Sequence, residues 1–503
     1  MSLPLGSLSF LCVALVTHFR WLIAPIPSDV NVWIRVGRDW ANGATLYVDA
    51  YDNKLPPVYL LTRVLDGSNP ALAWYLAEVV YMTAAAAALF AAMRRSAPLA
   101  AAVAPLLLIV WTGVLSTGQC TEAVALALDV IALSSCAIAA QTGKWWIGLL
   151  AGASAALMVS FRPPTLLHLV AYIPMFWLLY RRHGARMATR AAGAFIIGGA
   201  TIITGIVAQA MISGYWGPML GVLRRDMHYA AMSRGPLGHA LHLLVESCIR
   251  LLANWHAAPL LAVFTIVSAA SRWRNTACLS GWRVWLIVSV LWFSATLAGT
   301  VPGGRDFDHY YHVIWAPLAV LGALWLDVLF GKRAFRLVGL PLATALIVFT
   351  IAYGGLDLAR AAIGQARAGS RPGTNRLVRA VATDLNRLIP PNEIAPICVW
   401  SNWSELLWRV RRRSVTPALV PIVFLDIAPD LFDQWTTAML EQRPPIIAFD
   451  GWGFGPTSWS RHLYAGRPRV NDLEAMLRDE YVEIRRWDDL YVLARRGSGY
   501  EFK

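Results

Sequence analysis

Charged residues are scarce in this chain of 503 residues. They make up only 15% of it, whereas 57% of the residues are hydrophobic and the mean hydropathy is +0.50. A composition this apolar excludes a soluble enzyme and a disordered scaffold. The chain is therefore predicted to be a membrane protein.

Acidic residues are scarcer than basic ones, 30 against 44, which gives a formal net charge of +14. The basic residues are scattered between hydrophobic runs, so nucleic acid is not an expected partner. Anionic membrane lipids and a phosphate-bearing substrate fit this distribution better. The six cysteines are widely spaced, with no C-x-x-C pair and no Cys/His cluster, so no metal site is predicted from them.

Eleven apolar runs predict transmembrane helices. They lie at 5–25, 70–93, 97–115, 121–140, 146–160, 164–180, 191–212, 257–271, 284–300, 311–330 and 337–357. The first run has no charged segment before it and no cleavage motif after it, which predicts a retained helix. Residues 1–357 are thus expected to form a polytopic α-helical membrane domain.

Basic residues in alternate short connections predict the orientation, because Lys and Arg remain preferentially in the cytoplasm. The connections that contain them have no acidic residue and lie at 94–95, 144, 181–190, 272–283 and 332–336. We therefore expect a cytoplasmic N terminus in the plasma (inner) membrane of the cell. The long loops 28–69 and 213–256 are then external, and the chemistry is expected on that face.

Residues 358–503 have the composition of a water-soluble fold. The predicted strands are 394–400, 445–449, 481–486 and 490–494, and the predicted helices include 430–441 and 472–480. This pattern predicts an external, C-terminal α/β domain that follows a polar linker.

The first external loop begins with Asp29 and continues with the pattern G-x-x-L-Y-x-D-x-Y-D-x-K-x-P-P-x-Y from Gly43 to Tyr59. Two interpretations of Asp29 are open. It is either a cap of the helical pattern that follows it, or a general base that removes a proton from an acceptor hydroxyl.

This loop resembles the polyprenyl-phosphate-sugar-dependent glycosyltransferases of the GT-C fold, which include protein O-mannosyltransferases and aminoarabinose transferases. Two later segments extend the resemblance. Residues 116–122 are similar to the second external acidic motif of this superfamily, and Gly304 to Tyr311 are similar to its G-R-x-F-x-H-Y motif. The O-mannosyltransferase branch usually has Asp-Glu at the first position. Here Val30 follows Asp29, so a metal contact by that glutamate is absent or moved.

The resemblance implies transfer of a sugar from a polyprenyl-phosphate donor to a glycan, lipid or protein acceptor, with inversion preferred over retention. It implies catalytic roles for Asp29 and Glu122. The implied donor-phosphate contacts are Lys54, Arg305, His309 and Tyr310, and the implied substrate contacts are Tyr47, Asp52 and Tyr59. Cations suit a phosphate, since charge-assisted hydrogen bonds are about twice as strong as neutral ones. No cofactor is identified, and the need for a divalent cation stays open.

Arg162 is the only basic residue in the predicted external connection between the fifth and sixth spans. Because it opposes the general distribution of basic residues, it suggests binding of the lipid phosphate. Asp129 lies midway along the fourth span and is costly in lipid, so it is expected to face the protein interior or a water-filled cavity.

Two other classes of protein remain open. Many helices with interior polar residues also describe a transporter or flippase for lipid-linked saccharides, and the tail could serve a non-catalytic scaffold. Transporters commonly have two related halves, whereas this sequence has no internal repeat.

Overall fold

The structure is a computed structural model. It describes residues 3–23, 28–67, 69–115, 120–232, 281–300, 312–334, 352, 374–388, 397–400, 404–410, 429–450, 469–487 and 490–500. The chain forms two compact units. The first comprises Met1–Ala24, Asn69–Ala208 and Ala230–Arg360, and the second comprises Pro25–Ser68, Gln209–Tyr229 and Ala361–Lys503.

Most described residues are helical. The helices are α1 (Leu3–Thr17), α2 (Arg20–Ile23), α3 (Ser28–Ala41), α4 (Pro56–Leu65), α5 (Pro70–Met93), α6 (Pro98–Leu115), α7 (Thr121–Thr142), α8 (Ile147–Phe161), the 3-10 helix η1 (Pro163–Tyr172), α9 (Ile173–His183), α10 (Ala185–Ile212), α11 (Trp216–Met232), α12 (Gly281–Thr300), α13 (Trp315–Ala334), α14 (Thr374–Leu388), α15 (Ser404–Arg409), α16 (Pro429–Gln442) and α17 (Val470–Glu480).

The first unit is a bundle of apolar helices. Among the described residues, the segments long and apolar enough to cross a membrane are Pro70–Met93, Thr121–Thr142, Pro163–His183, Ala185–Ile212 and Gly281–Gly299. Shorter apolar helices lie at Ser7–Thr17, Ala100–Val114, Ile147–Phe161 and His312–Trp325. The predicted class, a polytopic α-helical membrane protein with a small C-terminal α/β region, is confirmed. The predicted span at 257–271, and that at 337–357 except for residue 352, lie outside the described residues.

Helix α7 is central to this unit. It packs against α5, α8 and α9, and nearly all of its side chains are buried. It ends at Gly143, whose left-handed conformation lets its N–H bond to the carbonyl of Ala139 at 2.8 Å. The polar residues of α7 between Thr121 and Cys136 therefore face protein rather than lipid.

The sixth predicted span is not a regular α-helix. Its first half is η1, a 3-10 helix of 10 residues, which is long for this conformation. Pro163 and Pro164 begin η1, where a missing backbone N–H removes no helical bond, and Pro174 supplies no N–H for an α-helical bond to the carbonyl of Val170. The η1 segment packs against α8 and α12.

In the second unit, α3 packs against both α4 and α15. Thr62 Oγ1 donates to the carbonyl of Trp33 at 3.0 Å. The buried Arg35 donates to Asp39 Oδ2 at 2.7 Å and to the carbonyl of Val410 at 3.1 Å. The first predicted external loop thus folds together with part of the C-terminal tail.

The tail contains a four-stranded sheet in the order β1-β2-β4-β3. The strands are β1 (Ile397–Trp400), β2 (Ile446–Asp450), β3 (Tyr481–Trp487) and β4 (Leu490–Arg495). Strand β2 pairs in parallel with β1 and antiparallel with β4, and β3 and β4 form the predicted terminal hairpin. The second predicted long loop, 213–256, contains α11, and residues 233–256 lie outside the described part.

Candidate active site

In the second unit, three of the predicted site residues, Tyr47, Asp52 and Tyr59, lie around the backbone of Lys54, which is itself a predicted site residue. Tyr47 donates its hydroxyl hydrogen to the carbonyl of Lys54 at 2.8 Å, and the N–H of Lys54 donates to the hydroxyl of Tyr59 at 3.0 Å. The same Tyr59 hydroxyl donates to Asp52 Oδ2 at 3.0 Å. Both backbone groups of Lys54 are therefore bonded, while its side chain is half-buried.

A tight turn places Tyr47 for this contact. Tyr47 has a φ of 65°, which a residue with a side chain adopts only at a cost. Its N–H donates to the carbonyl of Ala50 at 2.8 Å, and the N–H of Thr45 donates to Asp49 Oδ2 at 2.8 Å. The ring of Tyr47 also lies edge-on to that of Tyr215 at 5.8 Å. These contacts stabilise the strained turn.

Asp52 is a buried carboxyl in this loop. Burial raises its pKa above 3.8, against the opposing effects of the Lys54 charge, the N–H of Asn53 and the Tyr59 hydroxyl, and the charge of Asp29 adds to the increase. Burial, followed by the neighbouring Asp52 charge, raises the pKa of Tyr59 well above 10.0. Tyr59 therefore stays protonated and acts as a hydrogen-bond donor to Asp52.

Asp29 lies in the first turn of α3 and is exposed. A helix N terminus favours negative charge, so the position suits an ionised carboxylate. Asp29 belongs to the same unit as Tyr47, Asp52, Lys54 and Tyr59, and its negative charge contributes to the raised pKa of Asp52.

In the first unit, Glu122 and Arg162 form a buried pair. Glu122 lies in the first turn of α7, and Arg162 separates α8 from η1. Arg162 Nε lies 3.9 Å from Glu122 Oε1, and Thr121 Oγ1 donates to Glu122 Oε2 at 3.0 Å. A buried charge is costly unless it is paired, so each member of this pair supports burial of the other.

Further buried polar residues surround this pair. His18 Nε2 lies 3.8 Å from Glu78 Oε1, and Cys120 Sγ lies 4.0 Å from His312 Nδ1. Cys120 also interacts electrostatically with Glu122, Glu78 and Arg162. We call these residues the helix-end cluster: His18, Glu78, Cys120, Glu122, Arg162 and His312. The sequence offered one signal for Glu78, since it is the only acidic residue in the apolar run 70–93.

A second buried polar group, the Asp129 quartet, lies deeper along α7. Asp129 accepts hydrogen bonds from Tyr172 at 2.7 Å and Trp292 at 2.6 Å, and its Oδ2 lies 2.5 Å from His168 Nδ1. All four side chains are buried. The prediction that Asp129 faces the protein interior is confirmed.

The quartet and the Glu122–Arg162 pair both connect α7 to segment 162–172, which comprises Arg162 and η1, and the quartet also includes Trp292 of α12. Glu122 and Asp129 are seven residues apart on α7, a rise of about 10 Å. Arg162 and His168 are six residues apart along η1, where a 3-10 rise gives about 12 Å. The near match explains how two successive polar contacts form between α7 and η1, and it makes the Asp129 quartet an anchor for the segment that carries Arg162.

The remaining predicted site residues, Arg305, His309 and Tyr310, lie outside the described part of the chain. Within that part, no group of three or more His, Cys, Asp or Glu side chains is arranged to hold a metal ion. The described geometry thus offers carboxylates for proton transfer and cations for an anionic group, carried on two separate units.

The fold and these polar groups define a polytopic helical membrane protein with a small C-terminal α/β region. No family model and no curated protein matches the chain. Two solved structures of the Archaeoglobus fulgidus oligosaccharyltransferase, one in complex with zinc and sulfate and one in the apo form, are similar to it at 14% identity and a TM-score of 0.48. The similarity covers 89% of this chain and 68% and 70% of the archaeal chains.

Proposed function

We propose that this protein is a membrane glycosyltransferase of the GT-C type. It transfers a sugar from a polyprenyl-phosphate donor to a glycan, lipid or protein acceptor of the cell envelope, on the external face of the plasma membrane. In this proposal the N terminus is cytoplasmic, residues 358–503 are external, and the reaction inverts the anomeric configuration.

The observation that carries the proposal is the arrangement around Lys54. Two tyrosines fix its backbone, Asp52 is buried beside it, and Asp29 lies within electrostatic range of Asp52. A lysine whose backbone is held in this way offers a cation that suits the phosphate of a lipid-linked sugar. The raised pKa of Asp52 favours its neutral form, which repels a phosphate less than a second carboxylate would.

The proposed reaction is a single displacement. Asp29 accepts the proton of the acceptor hydroxyl while the hydroxyl oxygen bonds to the anomeric carbon. The bond between that carbon and the phosphate oxygen breaks, and the polyprenyl phosphate leaves with the electron pair. Lys54 stabilises the charge on the departing phosphate, a contribution that grows as the bond breaks.

Other residues keep the roles that the resemblance and the position of Arg162 suggest. Glu122 orients hydroxyl groups, and Arg162 contacts lipid phosphate. Arg305, His309 and Tyr310 are further candidates for donor-phosphate contacts. The support for the first two is their buried pairing at the start of α7.

Replacement of Asp29 tests the proposal. Asp29→Asn should abolish sugar transfer and leave the amount of folded protein unchanged, because the side chain is exposed and changes by one charge only. Asp49→Asn, at another exposed carboxylate of the same loop, is the matched control and should retain transfer. The readout is mass spectrometry of envelope glycans from cells that lack the gene and carry each variant.

A glycan product from Asp29→Asn equal to that of the unmodified protein would reject Asp29 as the base. Cells without the protein should lack one sugar residue from a glycan, a lipid or a protein, and that loss would identify donor and acceptor together. Accumulation of intact lipid-linked saccharide on the cytoplasmic leaflet, with transfer still active in disrupted membranes, would instead indicate a transporter.

A further inference from the structure

Outside the proposed catalytic residues, one end of the first unit carries a dense group of cations. The sequence has no acidic residue between Asp129 and Asp226. Five exposed basic side chains lie in or beside two helix connections of this stretch, α7–α8 and α9–α10, and we call them the basic face: Lys144, Arg181, Arg182, Arg186 and Arg190. None of the five forms an ion pair with a described residue.

Direct contacts hold the two connections side by side. His183 Nε2 lies 3.2 Å from the carbonyl of Ala140, at the end of α7. A Cβ added to Gly143, which has a φ of 69°, would lie 3.1 Å from the ring of His183. The turn that carries Lys144 therefore packs directly against the end of α9.

The next helices continue this contact. A Cβ added to Gly148 would lie 2.5 Å from the carbonyl of Ala191, so α8 and α10 touch through their backbones. Gly148 follows Lys144 by four residues, and Ala191 follows Arg190 directly. The glycines thus bring Lys144 and the arginines of α9 and α10 to one face.

Exposed aromatic residues beside the basic face indicate its depth in the membrane. Trp145, Trp146, Trp177 and Tyr180 are all exposed, and the guanidinium of Arg181 lies 5.8 Å from the ring centre of Trp177. Trp and Tyr concentrate where membrane meets water. The basic face therefore lies at the depth of the lipid headgroups.

We propose that the basic face binds the phosphate groups of anionic phospholipids in the adjacent leaflet. The charge is complementary, no described carboxylate neutralises it, and its position relative to the exposed tryptophans matches the headgroup layer. Clusters of four to eight Lys and Arg beside a membrane helix have this property. The proposal is independent of the glycosyltransferase activity, because it uses no residue of that site.

The test measures lipid retention by the full chain in nanodiscs made of phosphatidylcholine and phosphatidylglycerol. After purification, mass spectrometry gives the ratio of the two lipids that remain bound. The test variant replaces four arginines with glutamine: R181Q/R182Q/R186Q/R190Q. The matched control removes four exposed arginines of the C-terminal tail: R387Q/R469Q/R478Q/R496Q.

We expect the unmodified protein and the control to enrich phosphatidylglycerol over the bulk ratio, and the test variant to lose roughly fivefold or more of that enrichment. The fourfold lysine variant at the same positions should keep it, since the charge is conserved. Equal enrichment in the glutamine variant, or loss of it in the lysine variant, would overturn the proposal. Complete displacement of phosphatidylglycerol by inorganic phosphate would also overturn it and indicate a site for free anions.

Removal of four charges could impair membrane insertion, because basic residues also determine topology. For that case the single variants Arg186→Gln and Lys144→Gln are measured in the same nanodiscs. Each should lower the enrichment by a smaller factor than the fourfold variant. Enrichment unchanged in both single variants would reject the basic face as the lipid site.

Discussion

The loop around Lys54, which we call the Lys54 loop, is held by contacts between residues close in sequence. The Asp129 quartet joins residues that are far apart in sequence. In the loop, Tyr47, Asp52, Lys54 and Tyr59 contact partners five or seven residues away. In the quartet, the partners of Asp129 lie 39, 43 and 163 residues away. The loop is therefore a local structure with separable bonds, whereas the quartet depends on the correct packing of three helical segments.

This difference predicts different responses to substitution. A single hydrogen bond of the loop contributes about 1 kcal/mol. Removal of the Asp129 carboxylate leaves three buried donors without their acceptor inside a membrane bundle, where no water replaces it.

The largest effect is expected for Asp129→Leu. It should destabilise the first unit by about 3–5 kcal/mol, because an acceptor of three buried groups is lost. Thermal unfolding in detergent measures the change. Asp129→Asn, which keeps one acceptor oxygen, should lie between this variant and the unmodified protein.

Ser134→Ala is the matched control on the same helix. The hydroxyl of Ser134 is buried and bonds to no described side chain or backbone group, so its removal should leave the unfolding temperature unchanged or slightly raised. If Asp129→Leu were as stable as Ser134→Ala, the quartet would not anchor the helices.

The next largest effect is a difference in loop stability between the variants Tyr59→Phe and Tyr47→Phe. Tyr59→Phe removes a donor to Asp52 and an acceptor for the N–H of Lys54, whereas Tyr47→Phe removes one donor. We expect losses of about 1–3 and about 1 kcal/mol respectively, confined to the loop. Limited proteolysis between Asn42 and Leu55 measures both. Faster cleavage of Tyr47→Phe than of Tyr59→Phe would contradict the prediction that Tyr59 stabilises the loop more than Tyr47 does.

The smallest effect concerns pH. Since the folded-state pKa of Asp52 is raised above 3.8, its stabilising contribution is complete below about pH 3.8 and is lost as pH rises through the raised value. The Asp52→Asn side chain does not ionise. The stability of this variant relative to the unmodified protein should therefore increase as pH rises toward neutrality. Loop proteolysis at a series of pH values measures this, with Asp49→Asn as the exposed control. Parallel pH curves for Asp52→Asn and the unmodified protein would count against burial of Asp52.

The sequence predicted the bounds of α5 and α7 closely, because the ends of these helices carry local signals. Pro70 follows Asn69, whose side chain accepts from the N–H of Leu72, and α7 ends at Gly143. The 3-10 helix η1 was missed, because apolar content alone does not distinguish it from an α-helix. Hydropathy likewise did not reveal α11 within the predicted loop 213–256.

The candidate site was predictable only where it is local. Tyr47, Asp52, Lys54 and Tyr59 stand in one motif, and the structure brings them together in one loop. The pairing of His18 with Glu78 and the contacts of Asp129 join distant segments, so one sequence could indicate costly buried charges but not their partners. The role of Asp29 stays a prediction that Asp29→Asn tests, and the roles of Glu122 and Arg162 stay predictions.

The contact between Arg35 and the carbonyl of Val410 has a consequence for biosynthesis. The second unit is assembled from the start, middle and end of the chain. At about 5–20 residues per second, the ribosome needs roughly 20–70 s to proceed from Asp66 to Val410. During that interval α3 and α4 lack the tail segment on which α3 packs. Chaperones and proteases therefore meet an unfinished protein in which the tail partner of α3 is still being synthesised.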